Sequence, residues 1–153
     1  MEGCARVAGP EQRVLTDPAP TRLLAAVAVG GAVGALARWG LTHTFPADAD
    51  TFPWATFAIN VVGSFALALL PAFAVVRRQR LLTVGLGPGL LGGFTTLSAY
   101  SEQTRVLLAD GRTATALAYL LGTLAACLVA VAAVSRLYPP AAGVEFAAAG
   151  GDE

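Results

Sequence analysis

Long apolar stretches alternate with short polar ones along most of the chain. The apolar stretches run over Leu23–Leu41, Trp54–Val76, Leu81–Leu108 and Ala114–Val134. Each is close to or longer than the roughly 20 apolar residues that a helix needs to cross a bilayer. The pattern therefore predicts an all-α membrane protein with four transmembrane helices, in a membrane domain over residues 23–136.

The two ends of the chain do not continue this pattern. Residues 1–22 mix arginines, acids and prolines, and residues 137–153 combine small residues with acids. Segments with so few large apolar side chains bury too little surface to offset the entropy of ordering. Both ends are therefore predicted to be disordered.

The third apolar stretch is unlike a regular helix. Six of its residues are glycines or prolines that precede the pair Thr95-Thr96: Gly85, Gly87, Pro88, Gly89, Gly92 and Gly93. Within a bilayer, backbone that leaves the helix is tolerated only where it is buried in protein or lines a cavity. Carbonyl groups released in this way can bind a small hard cation. We predict that the third helix is broken, with a kinked but continuous helix as the alternative.

Composition supports a membrane location. Hydrophobic residues make up 56% of the chain and charged residues only 13%, against about 25% charged residues in a typical soluble domain. The ten basic residues are all arginines and equal the ten acidic residues in number. With no net charge to attract phosphates, nucleic acid is not an expected partner, whereas membrane lipid is.

The arginines are divided unequally between the two sides of the predicted helices. Four spans place both termini on one side, together with these arginines: Arg6, Arg13, Arg22, Arg77, Arg78, Arg80 and Arg136. The other side has Arg38, Arg105 and Arg112. Because cytoplasmic segments carry the excess of basic residues, we predict a multi-pass protein of the inner (plasma) membrane with both termini in the cytoplasm.

Polar side chains share faces of the second and fourth helices. Asn60 and Ser64 are four residues apart, and the same spacing relates Tyr119, Thr123 and Cys127, so each set lies on one helix face. An amide inside a bilayer is costly unless it is paired, and its NH2 group can donate to an anion that has lost water. Hydrogen bonding between helices is the alternative interpretation.

The first helix has small residues on one side and a cation near its end. Gly30 and Gly34 have the spacing that lets two helix backbones approach closely, and Gly63 provides a similar small surface on the second helix. Arg38 either extends to the membrane interface or attracts anions at the mouth of a pathway. No nucleophile, base and orienting group occur together, so an enzyme is not expected.

Three motifs, taken in order, resemble the CrcB/Fluc family of fluoride channels. They are GGAVGALARW in the first span, WATFAINVVGSF in the second and GLLGGFTTLSAYSE in the third, and the resemblance covers about residues 23–134. It implies a fluoride-specific ion channel that exports fluoride passively and so lowers its toxicity in the cytoplasm. It also implies an antiparallel dimer of four-helix subunits, with fluoride pathways between the subunits.

The resemblance further implies roles for individual residues. A structural sodium ion at the dimer centre would be held by the backbone carbonyls of Gly92 and Thr95 from both subunits. The fluoride pathway would involve eight positions: Arg38, Asn60, Ser64, Leu97, Tyr100, Ser101, Tyr119 and Thr123. Fluoride is strongly hydrated, so these groups must replace its water with oriented donors and the positive edges of aromatic rings.

Some positions depart from the family pattern. Leu97 and Tyr100 stand where phenylalanines usually line the pathway, and Gln103 stands where glutamate is common, directly after Glu102. Leu97 has no aromatic ring edge, which leaves one part of the lining incomplete. Together with the unequal arginines, this favours a homologous second subunit of opposite orientation as partner, with a homodimer as the alternative.

Two other functions compete with a channel. A small proton-coupled exporter also uses four short helices, but it needs a membrane-embedded carboxylate in its first helix, and Leu23–Leu41 has none. A non-transporting scaffold subunit would use its polar faces only for packing. Replacing Asn60 with leucine separates a scaffold from a channel, because only a channel would lose fluoride flux.

Overall fold

The computed structural model describes residues 19–47 and 51–138, so most of both predicted disordered ends lies outside the described residues. Within those ranges all regular structure is helical. Four stretches are long and apolar enough to cross a membrane: Pro20–Thr44, Trp54–Ala72, Arg80–Ala109 and Thr113–Leu137. The prediction of an all-helical chain with four candidate spans is confirmed, and each span includes most of the predicted stretch.

The first two spans differ in how they end. Helix α1 (Pro20–Thr44) is continuous and begins with proline, which is well tolerated there because the first helical N–H has no partner in the helix. Helix α2 (Trp54–Leu69) continues into a 3-10 turn (Leu70–Ala72) that contains Pro71. Since proline cannot donate a backbone hydrogen bond, the chain leaves the helix here and forms the short helix α3 (Ala74–Arg78).

The third span contains several helical pieces. They are α4 (Arg80–Val84), a π-helix (Gly85–Leu91), α5 (Gly92–Phe94) and α6 (Leu97–Ala109). Pro88 lies inside the π-helix, a rare form that occurs mostly as a short irregularity within α-helices. After the turn at residues 110–112, helix α7 (Thr113–Leu137) forms the fourth span.

Thr95 and Thr96 lie between α5 and α6 with extended backbone angles. Their φ and ψ values are −73° and 158° for Thr95, and −149° and 115° for Thr96. Thr96 starts α6 as its N-cap, because its hydroxyl oxygen accepts a hydrogen bond of 3.1 Å from the backbone N–H of Ala99. At these two residues the carbonyl groups turn away from the helical direction.

The third span changes its neighbours at this point. The π-helix and α5 pack mainly against α1, whereas α6 packs against α7, which also packs against α2. Helix α1 and the third span run in the same direction, because Gly85 lies beside Ala26 and Phe94 lies beside Gly34. The extended step therefore carries the chain from one side of the helix bundle to the other.

Close backbone approach explains two glycines of α1, Gly30 and Gly34. A Cβ atom on Gly30 would lie closer than 3.0 Å to the Gly85 carbonyl oxygen, and a Cβ on Gly34 would lie equally close to that of Leu90. Real Cβ atoms do not approach backbone atoms to that distance. Any side chain at either position would therefore push α1 away from the π-helix.

Few side chains are fully buried in the single chain. Leu107, Ala116 and Tyr119 form a small core near one end of the bundle, and Phe52 and Phe57 pack against it. Most large apolar side chains of the spans are exposed, as Leu128 and Val129 are on α7. Such exposure suits helices whose outer faces contact lipid or another subunit.

Candidate functional site

An open cavity of about 260 Å³ lies between α2, the Thr95–Thr96 step, the start of α6, and α7. It brings together six of the residues that the sequence predicts for the pathway or the sodium site: Asn60, Ser64, Thr95, Leu97, Tyr100 and Thr123. These residues come from three spans and are far apart in the chain. The cavity lies beside Thr95 and Thr96, where extended backbone interrupts the helices of the third span.

Two hydrogen bonds join the side chain of Asn60 to the backbone of Thr96, and both residues line this cavity. The Asn60 Nδ2 donates to the Thr96 carbonyl oxygen at 3.1 Å, and the Thr96 backbone N–H donates to Asn60 Oδ1 at 2.9 Å. The side-chain amide thus replaces the backbone partners that Thr96 loses outside the helix, where unpaired groups would be costly. One further amide N–H of Asn60 remains for another acceptor, since the NH2 group has two donors.

Gly63 gives Thr95 its place beside α2. A Cβ atom on Gly63 would collide with the methyl group of Thr95, while the Thr95 hydroxyl donates to the Leu91 carbonyl at 2.9 Å. The sequence predicts only a general packing role for Gly63. The structure shows a narrower role, because the missing side chain leaves room for one particular threonine at the step in the third span.

Thr123 has an unusual environment. Its side chain is only 3% exposed, it lines the cavity, and its hydroxyl has no hydrogen-bond partner among the described residues. A buried hydroxyl without a partner costs about 1–3 kcal/mol. Cys127, one helical turn further along α7, lines the same cavity and is a free thiol. A residue that lines the cavity therefore carries a buried donor that no other group in the described part of the chain uses.

Leu97 and Tyr100 lie at the cavity wall in different ways. Leu97 is 76% exposed, so it extends from the chain at the edge of the cavity. The Tyr100 hydroxyl donates to the Leu120 carbonyl oxygen, and its ring meets the Tyr119 ring edge to face with centroids 5.2 Å apart. Tyr100 is thus fixed against α7, whereas Leu97 has few neighbours within the chain.

Other residues predicted for the pathway or the sodium site do not line this cavity. Tyr119 is fully buried, and its hydroxyl donates to Gln103 Oε1 at 2.8 Å. The exposed Ser101 donates back to the Leu97 carbonyl at 2.8 Å, and Arg38 donates through Nε to the Gly93 carbonyl at 3.2 Å. Gly92 is exposed, and the atom nearest to a Cβ placed on it would be 3.9 Å away.

The acid of the third span is paired on the surface. Glu102 and Arg105 form an ion pair with a closest distance of 2.6 Å, and both side chains are largely exposed. Exposed pairs of this kind contribute about 0–1 kcal/mol to stability. Gln103 instead accepts a hydrogen bond from the buried Tyr119 and so joins α6 to α7.

The Thr95 carbonyl is turned out of the helical direction, as a backbone cation ligand must be. At a ψ of 158° this carbonyl does not point along the axis of α5, which precedes it. Small hard cations prefer oxygen ligands, and unwound backbone at membrane depth is a common source of them. The Thr95 carbonyl therefore fits a backbone ligand for a sodium ion, whereas Gly92 keeps helical angles, with φ −65° and ψ −36°, so its carbonyl stays in the helical direction.

Known proteins with similar sequences identify the family of this chain. The chain matches the family model described as CrcB-like protein, Camphor Resistance (CrcB), over residues 25–134. It is 42% identical over 134 residues to fluoride-specific ion channel FluC 1 of Streptomyces coelicolor, which covers 84% of both chains. It is 43% identical over 117 residues to FluC 2 of Nocardia farcinica, which covers 75% of this chain and 81% of that one.

A third relative gives the same result. Fluoride-specific ion channel FluC of Geobacter sulfurreducens is 43% identical over 107 residues, which cover 68% of this chain and 86% of the relative. The region matched by the family model extends from α1 to near the end of α7 and contains the whole cavity. The resemblance carried by the three motifs is thus confirmed, and the chain belongs to the CrcB family of FluC fluoride-specific ion channels.

Proposed function

We propose that this chain provides one wall of a pathway through which fluoride leaves the cell passively, which lowers fluoride toxicity in the cytoplasm. The observation that supports this most strongly is the buried hydroxyl of Thr123, which has no partner among the described residues. Thr123 lines a cavity together with Asn60. An anion in the cavity would accept hydrogen bonds from both groups.

Fluoride needs several donors at once because it is small and strongly hydrated. The hydroxyls of Ser64 and Thr123 and the free N–H of Asn60 belong to residues that line one cavity and can replace part of the lost water. A hydrogen bond to a charged acceptor contributes about 1.5–3 kcal/mol. The cavity walls are otherwise largely apolar, which strengthens each of these interactions.

The cavity is open on one side, so a second subunit completes the pathway in this proposal. Leu97 projects from the cavity edge with 76% of its surface exposed, as expected for a side chain that meets a neighbouring chain. The subunits pair in antiparallel orientation, and the broken third helices of both meet at the centre. This arrangement gives two pathways, each lined by residues from both chains.

A structural sodium ion lies between the two broken helices in this arrangement. Its ligands are the backbone carbonyls of Gly92 and Thr95 from each subunit. The extended backbone of Thr95 and the exposure of Gly92 support this assignment, because both residues remain accessible to a second chain. The ion would neutralise carbonyl dipoles that point at each other across the interface.

The partner is proposed to be a homologous subunit of opposite orientation in the plasma membrane. The excess of arginines on the side of the termini favours one orientation for this chain, with both termini in the cytoplasm. The partner would also supply the aromatic ring edge that Leu97 lacks. Four of the relatives are named FluC 1 or FluC 2, and such numbering is compatible with two subunits in one organism.

Substituting Thr123 with valine tests the pathway. Valine has the same shape without a hydroxyl, so we expect the free energy of unfolding to stay equal or rise. In a chain that also carries Leu97→Phe, which supplies the ring edge expected of the partner, we expect fluoride efflux to fall at least about tenfold because one charged hydrogen bond is lost. The matched control is Thr104→Val, which removes a hydroxyl that is also buried but donates to the Tyr100 carbonyl. Unchanged efflux in Thr123→Val contradicts a role in the pathway.

Orientation can be tested in cells that lack their own fluoride exporters. The triple variant Arg77→Gln, Arg78→Gln and Arg80→Gln nearly balances the arginines on the two sides, so it should insert in both orientations and pair with itself. We expect it to protect cells from fluoride better than the unchanged chain does. Full protection by the unchanged chain alone would contradict the need for a partner.

A further inference from the structure

A second groove, separate from the fluoride cavity, opens on the opposite side of the third span. It has a volume of about 410 Å³ and lies between α1 and the α4–π-helix segment. Its walls are formed by apolar residues, which include these side chains: Ala26, Val29, Val33, Leu82, Leu86 and Leu90. The groove arises because Gly30 and Gly85 bring the two backbones close together. Having no side chains, these glycines leave the space beside their contact open.

The groove faces outwards from the helix bundle. Val29 is 65% exposed and Val33 is 50% exposed, although both line the groove. From Ala26 to Val33 it follows α1 for about 10 Å, at a rise of 1.5 Å per residue. In a chain with four candidate membrane spans, a trough of this shape and direction matches one acyl chain lying parallel to the helices.

Two arginines lie near one end of the groove. Arg22 lies one helical turn before Ala26 on the same stripe of α1, and Arg80 directly precedes the lining residue Leu81. Because α1 and the third span run in the same direction, both arginines lie at the same end. In the described part of the chain the acidic residues are Glu102 and Asp110, which lie towards the opposite end.

From this combination we propose that the groove binds an anionic phospholipid of the leaflet in which α1 begins. One acyl chain lies along the apolar walls, and the headgroup phosphate lies at Arg22 and Arg80. Basic pockets between membrane helices are known to select anionic headgroups in this way, and guanidinium groups bind phosphate oxygens in bidentate fashion. This site does not depend on the proposed fluoride pathway.

Native mass spectrometry of the purified full chain tests this proposal. The probes are dioleoyl phosphatidylglycerol and dioleoyl phosphatidylcholine at equal concentration. We expect the chain to retain the anionic lipid preferentially, and Arg22→Gln to reduce that preference about fivefold. The control Arg136→Gln removes an arginine at the same end of the protein but on α7, away from the groove, and should leave the preference unchanged.

A second variant tests the groove itself. Val29→Trp places an indole in the trough and should reduce the retention of both lipids. Several results would overturn the proposal: no preference for the anionic lipid, equal losses in Arg22→Gln and Arg136→Gln, or displacement of the lipid by millimolar inorganic phosphate. Loss of dimer without loss of lipid in Val29→Trp would also overturn it, because a second copy of the chain would then occupy the groove.

Discussion

In a chain that carries Leu97→Phe, the background for all the efflux variants, replacing Asn60 with leucine is expected to reduce fluoride efflux by at least about tenfold and to destabilise the chain. The substitution removes both hydrogen bonds to Thr96, of 3.1 and 2.9 Å, and leaves the N–H and carbonyl of that residue without the Asn60 amide. Each buried group left unpaired costs about 1–3 kcal/mol. Efflux measured with a fluoride electrode and thermal unfolding in detergent report the two effects separately.

Gln103→Leu is the matched control for this experiment. It makes the same chemical change within a membrane span and breaks one hydrogen bond, from Tyr119 at 2.8 Å, but it lies outside the cavity. We expect lower stability with efflux largely retained. If Asn60→Leu conducts as well as Gln103→Leu at equal amounts of folded protein, Asn60 acts only in packing and the scaffold interpretation gains support.

Gly34→Ala is expected to be the most damaging change of a single methyl group in the described part of the chain. The new Cβ would lie closer than 3.0 Å to the backbone of both Leu90 and Phe94, so α1 and the third span must separate. Forced separation of well-packed elements costs about 1–3 kcal/mol. It would also move the segment that leads to Thr95, so we expect fluoride efflux to fall together with the melting temperature.

Gly40→Ala provides the control in the same helix. No atom lies within 4 Å of a Cβ atom at Gly40, and alanine is the better helix former by about 1 kcal/mol. This variant should therefore be as stable as the unchanged chain or slightly more stable, with normal efflux. Equal behaviour of Gly34→Ala and Gly40→Ala would show that α1 does not pack closely against the third span.

The sequence predicts the spans well because each depends on local information. Apolar length alone identifies α1 and α7, whose observed bounds, Pro20–Thr44 and Thr113–Leu137, extend the predicted stretches by a few residues. The boundaries differ because helices continue into the interface, where polar residues such as Thr42 and Thr44 donate back to backbone carbonyls. A hydropathy profile does not detect these polar helix ends.

The candidate site is harder to predict because its contacts join distant residues. The polar face of α2 indicates Asn60, but its partner Thr96 is 36 positions away, and nothing local indicates that pairing. Tyr119 and Thr123 share a helix face by spacing. One is nevertheless buried against Gln103 and the other lines the cavity, because the direction of each side chain depends on how α6 crosses α7.

The glycines of the first and third spans show what sequence spacing predicts and what it does not. The spacing of Gly30 and Gly34 indicates a close helix contact without naming the partner, which is the π-helix around Pro88. A π-helix is defined by backbone hydrogen bonds between residues five positions apart and occurs mostly as a short irregularity inside an α-helix. Sequence spacing does not contain that information, whereas the composition of the segment does signal an irregular backbone.

Fluoride efflux from proteoliposomes tests the central claim, that the Thr123 cavity forms a fluoride pathway, most directly. The chain would be reconstituted with Leu97→Phe, which supplies the missing ring edge, and with Leu97→Phe combined with Thr123→Val. We expect the first to release fluoride but not chloride, and the second to be at least about tenfold slower. Efflux from Leu97→Phe no faster than from protein-free liposomes, or equal efflux from both variants, would contradict the account.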